Sequence, residues 1–202
     1  MKLVIMTQPV FFVEEDKILS TLFDEGMDCL HLRKPGASPM YSERLLSLMP
    51  EASYGKTVVH DHYYLKSEYG LAGIHLDDPQ RELPKDYKGK FSRTCTDINA
   101  LKEMKRKAEY VFLANVFAQT DSLADMPTLA KADLEAAARS GLIDKHVYAL
   151  GGVGLDNIRM AKDLGFGGVV VSTDLWSKFD IHNQLDYKEL IAHFEKLRKA
   201  VS

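Results

Sequence analysis

The runs Tyr148-Ala149-Leu150-Gly151-Gly152-Val153 and Gly167-Gly168-Val169-Val170-Val171-Ser172-Thr173 carry the most informative chemistry of this chain. Each is an apolar, β-branched stretch ending in small residues, and a helix-like segment from about Asp156 to Leu164 lies between them. Glycine lets an anion come close enough to the main chain to be held by bare N–H groups. Ser172-Thr173-Asp174-Leu175-Trp176 can start a short helix beside that point. Gly151, Gly152, Ser172 and Thr173 are therefore candidate phosphate ligands. The other reading gives these glycines tight turns and nothing more.

A second set carries guanidinium, imidazole and carboxylate groups. His31 and Arg33 are two apart, so on one strand they point the same way, with Leu30 and Leu32 on the opposite face. An inward Arg at a strand end is costly unless it meets an anion, and its fork matches phosphate oxygens. Alternatively it pairs with a neighbouring carboxylate such as Asp61. Lys34 follows and can add charge at the rim or sit in solvent. In His60-Asp61-His62, the carboxylate suits Mg²⁺, which takes one or two carboxylates together with substrate oxygens and water. Asp77 or Asp78 can supply the second carboxylate, or organise a turn before Pro79. Zinc on His60, His62 and His75, as in a metal hydrolase, is the rival, although their spacing matches no zinc-binding helix motif. Thr94 adds a hydroxyl. The stretch from Asn115 to Pro127, with Gln119-Thr120-Asp121-Ser122 inside it, is long for a strand-to-helix connection and is a lid candidate.

These groups are scattered along the chain, so the fold must bring them together. Short apolar runs recur at Leu3–Thr7, Met27–Arg33, Lys56–His60, Ala72–Leu76, Lys90–Cys95, Tyr110–Ala114, His146–Leu150 and Gly168–Ser172. Helical stripes lie between them, such as Ile18, Leu19, Leu22 and Phe23, then Ile98, Leu101 and Met104, and finally Tyr187, Leu190, Ile191, Phe194 and Leu197. Strands alternating with helices mean parallel βαβ units. Eight units predict an α/β fold of the (β/α)8 TIM-barrel type, a single domain over residues 1–202. A doubly wound open sheet is the alternative, but the first turn, Gln8-Pro9-Val10, lacks its glycine fingerprint. In a barrel the functional residues sit where strands end. That rule selects the candidates named above as one polar ring.

Composition bounds the partners. A formal net charge of −3 gives no electrostatic case for nucleic acid or an anionic membrane. No apolar run spans a bilayer, and the N-terminus lacks a signal-peptide pattern. Cys29 and Cys95 read as reduced core thiols, which with the rest predicts a cytoplasmic protein.

In order and spacing the ring resembles one family: thiamin phosphate synthase and its relative, the TenI-type thiazole tautomerase. The resemblance covers roughly residues 3–175 and rests on His31-Leu32-Arg33, His60-Asp61, Gly73-Ile74-His75-Leu76, Val116-Phe117 and Ala149-Leu150-Gly151-Gly152-Val153. It implies a thiamin-biosynthesis enzyme holding a thiazole phosphate at the Gly-Gly and Ser positions. A synthase would join that thiazole to an aminopyrimidine methyl diphosphate and release pyrophosphate, with Mg²⁺ on Asp61 and Asp77 as cofactor. A tautomerase would move a proton on the thiazole and need no metal.

The departures bear on which chemistry survives. The synthases carry Gln-x-Arg-x-Lys, where this chain has His31, Arg33 and Pro35, with Lys34 one residue early. Their Gly-Gln-Glu-Asp becomes Asp77-Asp78-Pro79-Gln80, and their Thr-x-Thr-Lys becomes Gln119–Ser122 without lysine. The tautomerase branch carries a catalytic His where this chain has Asn115, so His31 or His75 would have to substitute. The resemblance thus implies His31, Arg33 and Asn115 as catalytic candidates. Lys34, His60, His75, Thr94, Gly151, Gly152, Ser172 and Thr173 would bind substrate. A barrel that binds a phosphorylated ligand without turnover is the alternative function, and homo-oligomerisation is left open.

Overall fold

Parallel strands covered on both faces are built from nearly continuous apolar sequence, and the valine- and isoleucine-rich runs of this chain close into a barrel. The computed structural model describes all 202 residues. The strands are β1 (Lys2–Met6), β2 (Leu30–Leu32), β3 (Thr57–Val59), β4 (Gly73–Leu76), β5 (Phe91–Cys95), β6 (Val111–Leu113), β7 (Val147–Ala149) and β8 (Gly168–Val171). Each pairs in parallel with the next, and β1 closes the ring against β8 with Lys2 opposite Gly168. Seven strands lie inside the segments expected from sequence, and β1 begins one residue earlier.

The outer layer comprises α1 (Glu15–Asp24), α2 (Pro39–Leu48), α3 (Tyr64–Tyr69), α4 (Leu101–Lys107), α5 (Lys131–Arg139), α6 (Ile158–Asp163), the four-residue α7 (Thr173–Trp176) and α8 (Lys188–Val201). Their apolar stripes bury against the strands: Ile18, Leu19 and Leu22 from α1, and Leu190, Phe194 and Leu197 from α8. One expected crossover helix is absent. The connection between β4 and β5 contains no helix, because Pro79 and Pro84 interrupt any helical hydrogen-bond ladder there. The extra helix α7 follows β8 directly, and Trp176 pins it by donating from Nε1 to the Met6 carbonyl at 2.8 Å.

Alternation along the strands divides the barrel interior into two halves. Val4, Met6, Phe112, Tyr148 and Val170 form an apolar cluster from β1, β6, β7 and β8. A Cβ on Gly168 would lie 2.7 Å from the Tyr148 ring, so only glycine leaves room for that side chain. The other half, from β2 to β5, is polar: His31, His60, His75, Ser92 and Thr94 are each at most 3 % exposed.

Candidate active site

A cavity of about 610 Å³ opens at the C-terminal mouth of the barrel. The ends of β2, β4, β5, β7 and β8 and the loop after β6 line it, through Arg33, Asp77, Thr94, Gly151, Gly152, Ser172, Thr173 and residues 118–123. Arg33 is its one cation, and the lining also holds three carboxylates, Asp77, Asp121 and Asp174.

Arg33 is positioned from behind by Thr7, whose Oγ1 accepts from the Arg33 N–H and donates to the Arg33 carbonyl, both at 3.0 Å. Its guanidinium does not meet Asp61. Nε donates to Asp77 Oδ2 at 3.2 Å and Nη1 to Asp121 Oδ2 at 3.0 Å. Burial disfavours the charge, but the two carboxylates more than offset it and raise the Arg33 pKa.

Asp77 is held from two sides. Its Oδ1 accepts from His60 Nδ1 at 2.7 Å, opposite the Arg33 contact on Oδ2. Burial pushes its pKa up, yet the hydrogen bond from His60 and the Arg33 guanidinium outweigh that and hold it well below the usual carboxylate range. Asp78 takes no part; its Oδ1 accepts from the Gln80 N–H at 2.8 Å and shapes the turn.

The histidines lie beneath the cavity and do not line it. His31 Nδ1 meets His60 Nε2 at 2.7 Å, and His31 Nε2 meets the Tyr110 hydroxyl at 2.6 Å. His75 is bonded to Ser92 Oγ at 2.7 Å and Thr94 Oγ1 at 2.9 Å. Burial, then the neighbouring His60, pushes the pKa values of His31 and His75 well below 6.5. His31, His60 and His75 are therefore interior residues that reach a ligand only through Asp77 or Thr94, a correction to their expected direct roles.

Three further expectations are corrected. Lys34 turns away from the mouth and makes a buried ion pair with Glu15, with Nζ also donating to the Val10 carbonyl at 2.9 Å. The neighbouring Arg33 takes the inward position, so on a continuing strand Lys34 must point outward. Asn115 has φ +55 and spends its side chain inside the loop after β6, donating to Leu123 and Met126 carbonyls at 3.1 and 3.2 Å and accepting from the Thr120 N–H at 2.9 Å. It organises the loop and is absent from the cavity wall. His62 donates from Nε2 to the Ala37 carbonyl at 2.9 Å, so the imidazoles that converge are those of His31, His60 and His75.

The two glycines have a different use from the one their sequence suggests. Gly151 and Gly152 take φ +105 and +68, and a Cβ on Gly151 would lie 2.3 Å from the Ala118 carbonyl. The Gly151 carbonyl accepts from Phe117 and Ala118 N–H groups at 3.0 and 3.2 Å. The close approach that glycine permits is thus first to the loop after β6, for Gly152 as well, whose Cβ would lie 2.6 Å from that of Ala118; both glycines also border the cavity. Beside it, at the start of α7, Asp174 Oδ2 meets His193 Nε2 at 2.6 Å. Sequence reasoning missed this pair, because His193 sits in the apolar stripe of α8.

The donor set does not fit Mg²⁺ shared between Asp61 and Asp77. Asp61 Oδ2 is buried without a partner, which suits a cation, but Asp61 lies outside the cavity wall. Both oxygens of Asp77 are already taken by His60 and Arg33. Nor does an ion fit among the three imidazoles as placed: every ring nitrogen has a protein partner, and 2.7 Å between His31 and His60 is a hydrogen bond.

No protein-family model and no curated protein matches the chain. Among solved structures, thiamine phosphate pyrophosphorylase from Bacteroides thetaiotaomicron is 44% identical with a TM-score of 0.90, over 99% of this chain and 97% of that one. The chain belongs to the thiamine phosphate pyrophosphorylase (thiamin phosphate synthase) family. The Pyrococcus furiosus thiamine phosphate pyrophosphorylase, at 20% identity and a TM-score of 0.74, covers 99% of this chain and 95% of that one, and shares the fold. So does 3-hexulose-6-phosphate synthase, at 14% identity, a TM-score of 0.66 and 100% coverage of both chains. In this chain the mouth cavity holds a single Arg, flanked by the carboxylates of Asp77 and Asp121. No helix is long and apolar enough to cross a membrane.

Proposed function

We infer that this family member binds a thiazole monophosphate at the barrel mouth and isomerises its ring by proton transfer, the TenI-type reaction of thiamin biosynthesis. One observation carries the reading: the cavity's only cation, Arg33, is clamped between Asp77 and Asp121, and Lys34 is withdrawn into its pair with Glu15. A pyrophosphate leaving group develops several negative charges and needs free cations. A monophosphate can sit on the backbone N–H groups near Gly152 and the first turn of α7, where the one carboxylate, Asp174, is already engaged by His193.

Proton transfer needs a group at the cavity whose proton can come and go. Asp77 presents a 39% exposed side chain there and is backed by His60. Alone, a carboxylate held so far below neutrality is a weak base. Its use comes from the imidazole behind it, which can give Nδ1–H to the carboxylate while its Nε2 takes a proton from His31 Nδ1, and can return it the same way.

The second reading is the synthase itself, favoured by the name of the 44% identical relative. Incubating the protein with thiazole phosphate, alone and with aminopyrimidine methyl diphosphate and Mg²⁺, separates the two. Isomerisation of the thiazole by ultraviolet absorbance, without formation of thiamin phosphate, is expected. Thiamin phosphate formed at about 0.1–10 s⁻¹ would replace this reading with the synthase.

A further inference from the structure

The polar half of the barrel contains more than a support for Asp77. Asp77 stands at the C-terminal mouth, His60 at the end of β3, His31 within β2, and Tyr110 just before β6 at the opposite end. Their polar atoms are 2.7, 2.7 and 2.6 Å apart in that order. Tyr110 is partly exposed and lines two cavities at the N-terminal end, beside Cys29 and Glu109. We propose that Asp77, His60, His31 and Tyr110 form a proton relay through the barrel, from the mouth cavity to solvent at its other end.

Donor roles follow from the ends inward. A carboxylate only accepts, so His60 Nδ1 donates and its Nε2 accepts in the neutral ring. His31 Nδ1 must then donate to it, which leaves His31 Nε2 to accept from the Tyr110 O–H. Every link is satisfied, and every hydrogen points toward the cavity. Shifting each proton one link gives Asp77 a proton from His60, His60 one from His31 and His31 one from Tyr110. Tyr110 regains its proton from water. Asp77 then protonates the substrate, and both imidazoles are left as the opposite tautomers, with each hydrogen pointing away from the cavity. In that state the relay runs only outward: a proton lost by the substrate enters at Asp77 and leaves to water at Tyr110. An isomerisation adds one proton and removes one, so each turnover resets the chain. Burial keeps His31 neutral, which suits passing protons rather than storing one. Burial pushes the Tyr110 hydroxyl pKa upward, which favours concerted transfer of its two protons. The paired imidazole His75 is outside the chain, held by Ser92 and Thr94.

Here Asp77 is the catalytic residue, and His60, His31 and Tyr110 are relay residues acting through it. The relay rests on the proton-transfer reading above, but its test does not require turnover. In protein carrying ¹⁵N-histidine, the ring protons of His31 and His60 are followed by NMR as solvent is changed to deuterium oxide. Tyr110→Phe, which removes only the terminal hydroxyl, is expected to slow exchange of the His31 ring proton several-fold. His31→Gln, which keeps hydrogen bonding but cannot exchange tautomers, is expected to slow exchange at His60. Where the wild type isomerises the thiazole, Tyr110→Phe should lower kcat about tenfold or more with KM unchanged. The solvent isotope effect should change from a curved, multi-proton dependence on deuterium fraction to a linear one. Wild-type exchange rates in both variants would overturn the relay, as would stoichiometric zinc in protein purified without added metal. Absence of isomerisation by the wild type would count against the function alone.

Discussion

Arg33 and Asp121 meet at 3.0 Å, joining the end of β2 to the loop after β6 across 88 positions of the chain. The contact roofs the mouth cavity and at the same time consumes the charge that a pyrophosphate would use. Asp121 is 56% exposed, so water screens the pair and its contribution to stability is small. Its consequence is for ligand choice.

Asp121→Asn removes one negative charge beside the guanidinium without changing side-chain shape. At about 4 Å in water a unit charge is worth about 1 kcal/mol, so inorganic pyrophosphate should bind about fivefold more tightly to the variant. Calorimetric titration reads this directly. Equal affinity in the two proteins would mean that Arg33 is not the anion contact.

Asn115 sits at φ +55, where asparagine is tolerated better than most residues, and its amide makes three hydrogen bonds inside the loop. Asn115→Ala loses those bonds and keeps the strained backbone, at an expected cost of about 2–4 kcal/mol in urea unfolding. Limited proteolysis should then cut between residues 115 and 127. Asn115→His, which supplies the imidazole of the tautomerase branch, is expected to leave thiazole isomerisation unimproved, since this side chain faces the loop.

These residues mark where sequence reading succeeds and stops. The strands were legible because most parallel strands buried on both faces are largely apolar runs, and the rule that barrels work at their strand ends selects Arg33, Asp77, Thr94, Gly152 and Thr173, which line the mouth cavity. Partners were not legible. Arg33 meets Asp77 and Asp121 rather than Asp61, because pairing depends on loop paths that no periodicity encodes. Tyr110 was missed for a different reason: it lies at the N-terminal end of β6, away from the mouth. Its shared parity with Phe112 does place it inside the barrel, and that signal was available. Asn115 was located correctly on the strand end, but a left-handed backbone turns its side chain into the loop.

Lys34 and Glu15 are 1% and 2% exposed at their side chains, and Glu15 Oε2 has no hydrogen-bond partner. Burial raises the Glu15 pKa and lowers that of Lys34, each only partly offset by the other. Breaking the pair with Glu15→Gln strands a buried ammonium and should cost about 3–5 kcal/mol, whereas Lys34→Met with Glu15→Leu should be neutral or stabilising by about 1–4 kcal/mol. Urea midpoints of the three proteins test this. If Lys34 instead serves the ligand, the double variant will lose thiazole phosphate affinity with its fold intact.

His31 and His75 stay neutral in the folded barrel, their pKa values pushed well below 6.5 by burial and by His60. The unfolded chain, with ordinary imidazoles, binds more protons than the native state once the pH falls below about 6.5. Stability must therefore be undiminished above that value and decline beneath it, by about 1.4 kcal/mol per pH unit for each histidine. His75→Gln retains an amide able to bond Ser92 and Thr94 but has nothing to titrate. Between pH 6 and 5, the loss of unfolding free energy in urea should be smaller in this variant by about 1 kcal/mol or more. The two proteins should run parallel above pH 7. A variant that declines as steeply as wild type would mean that His75 is already protonated in the folded barrel, bonded through both N–H groups to the hydroxyls of Ser92 and Thr94.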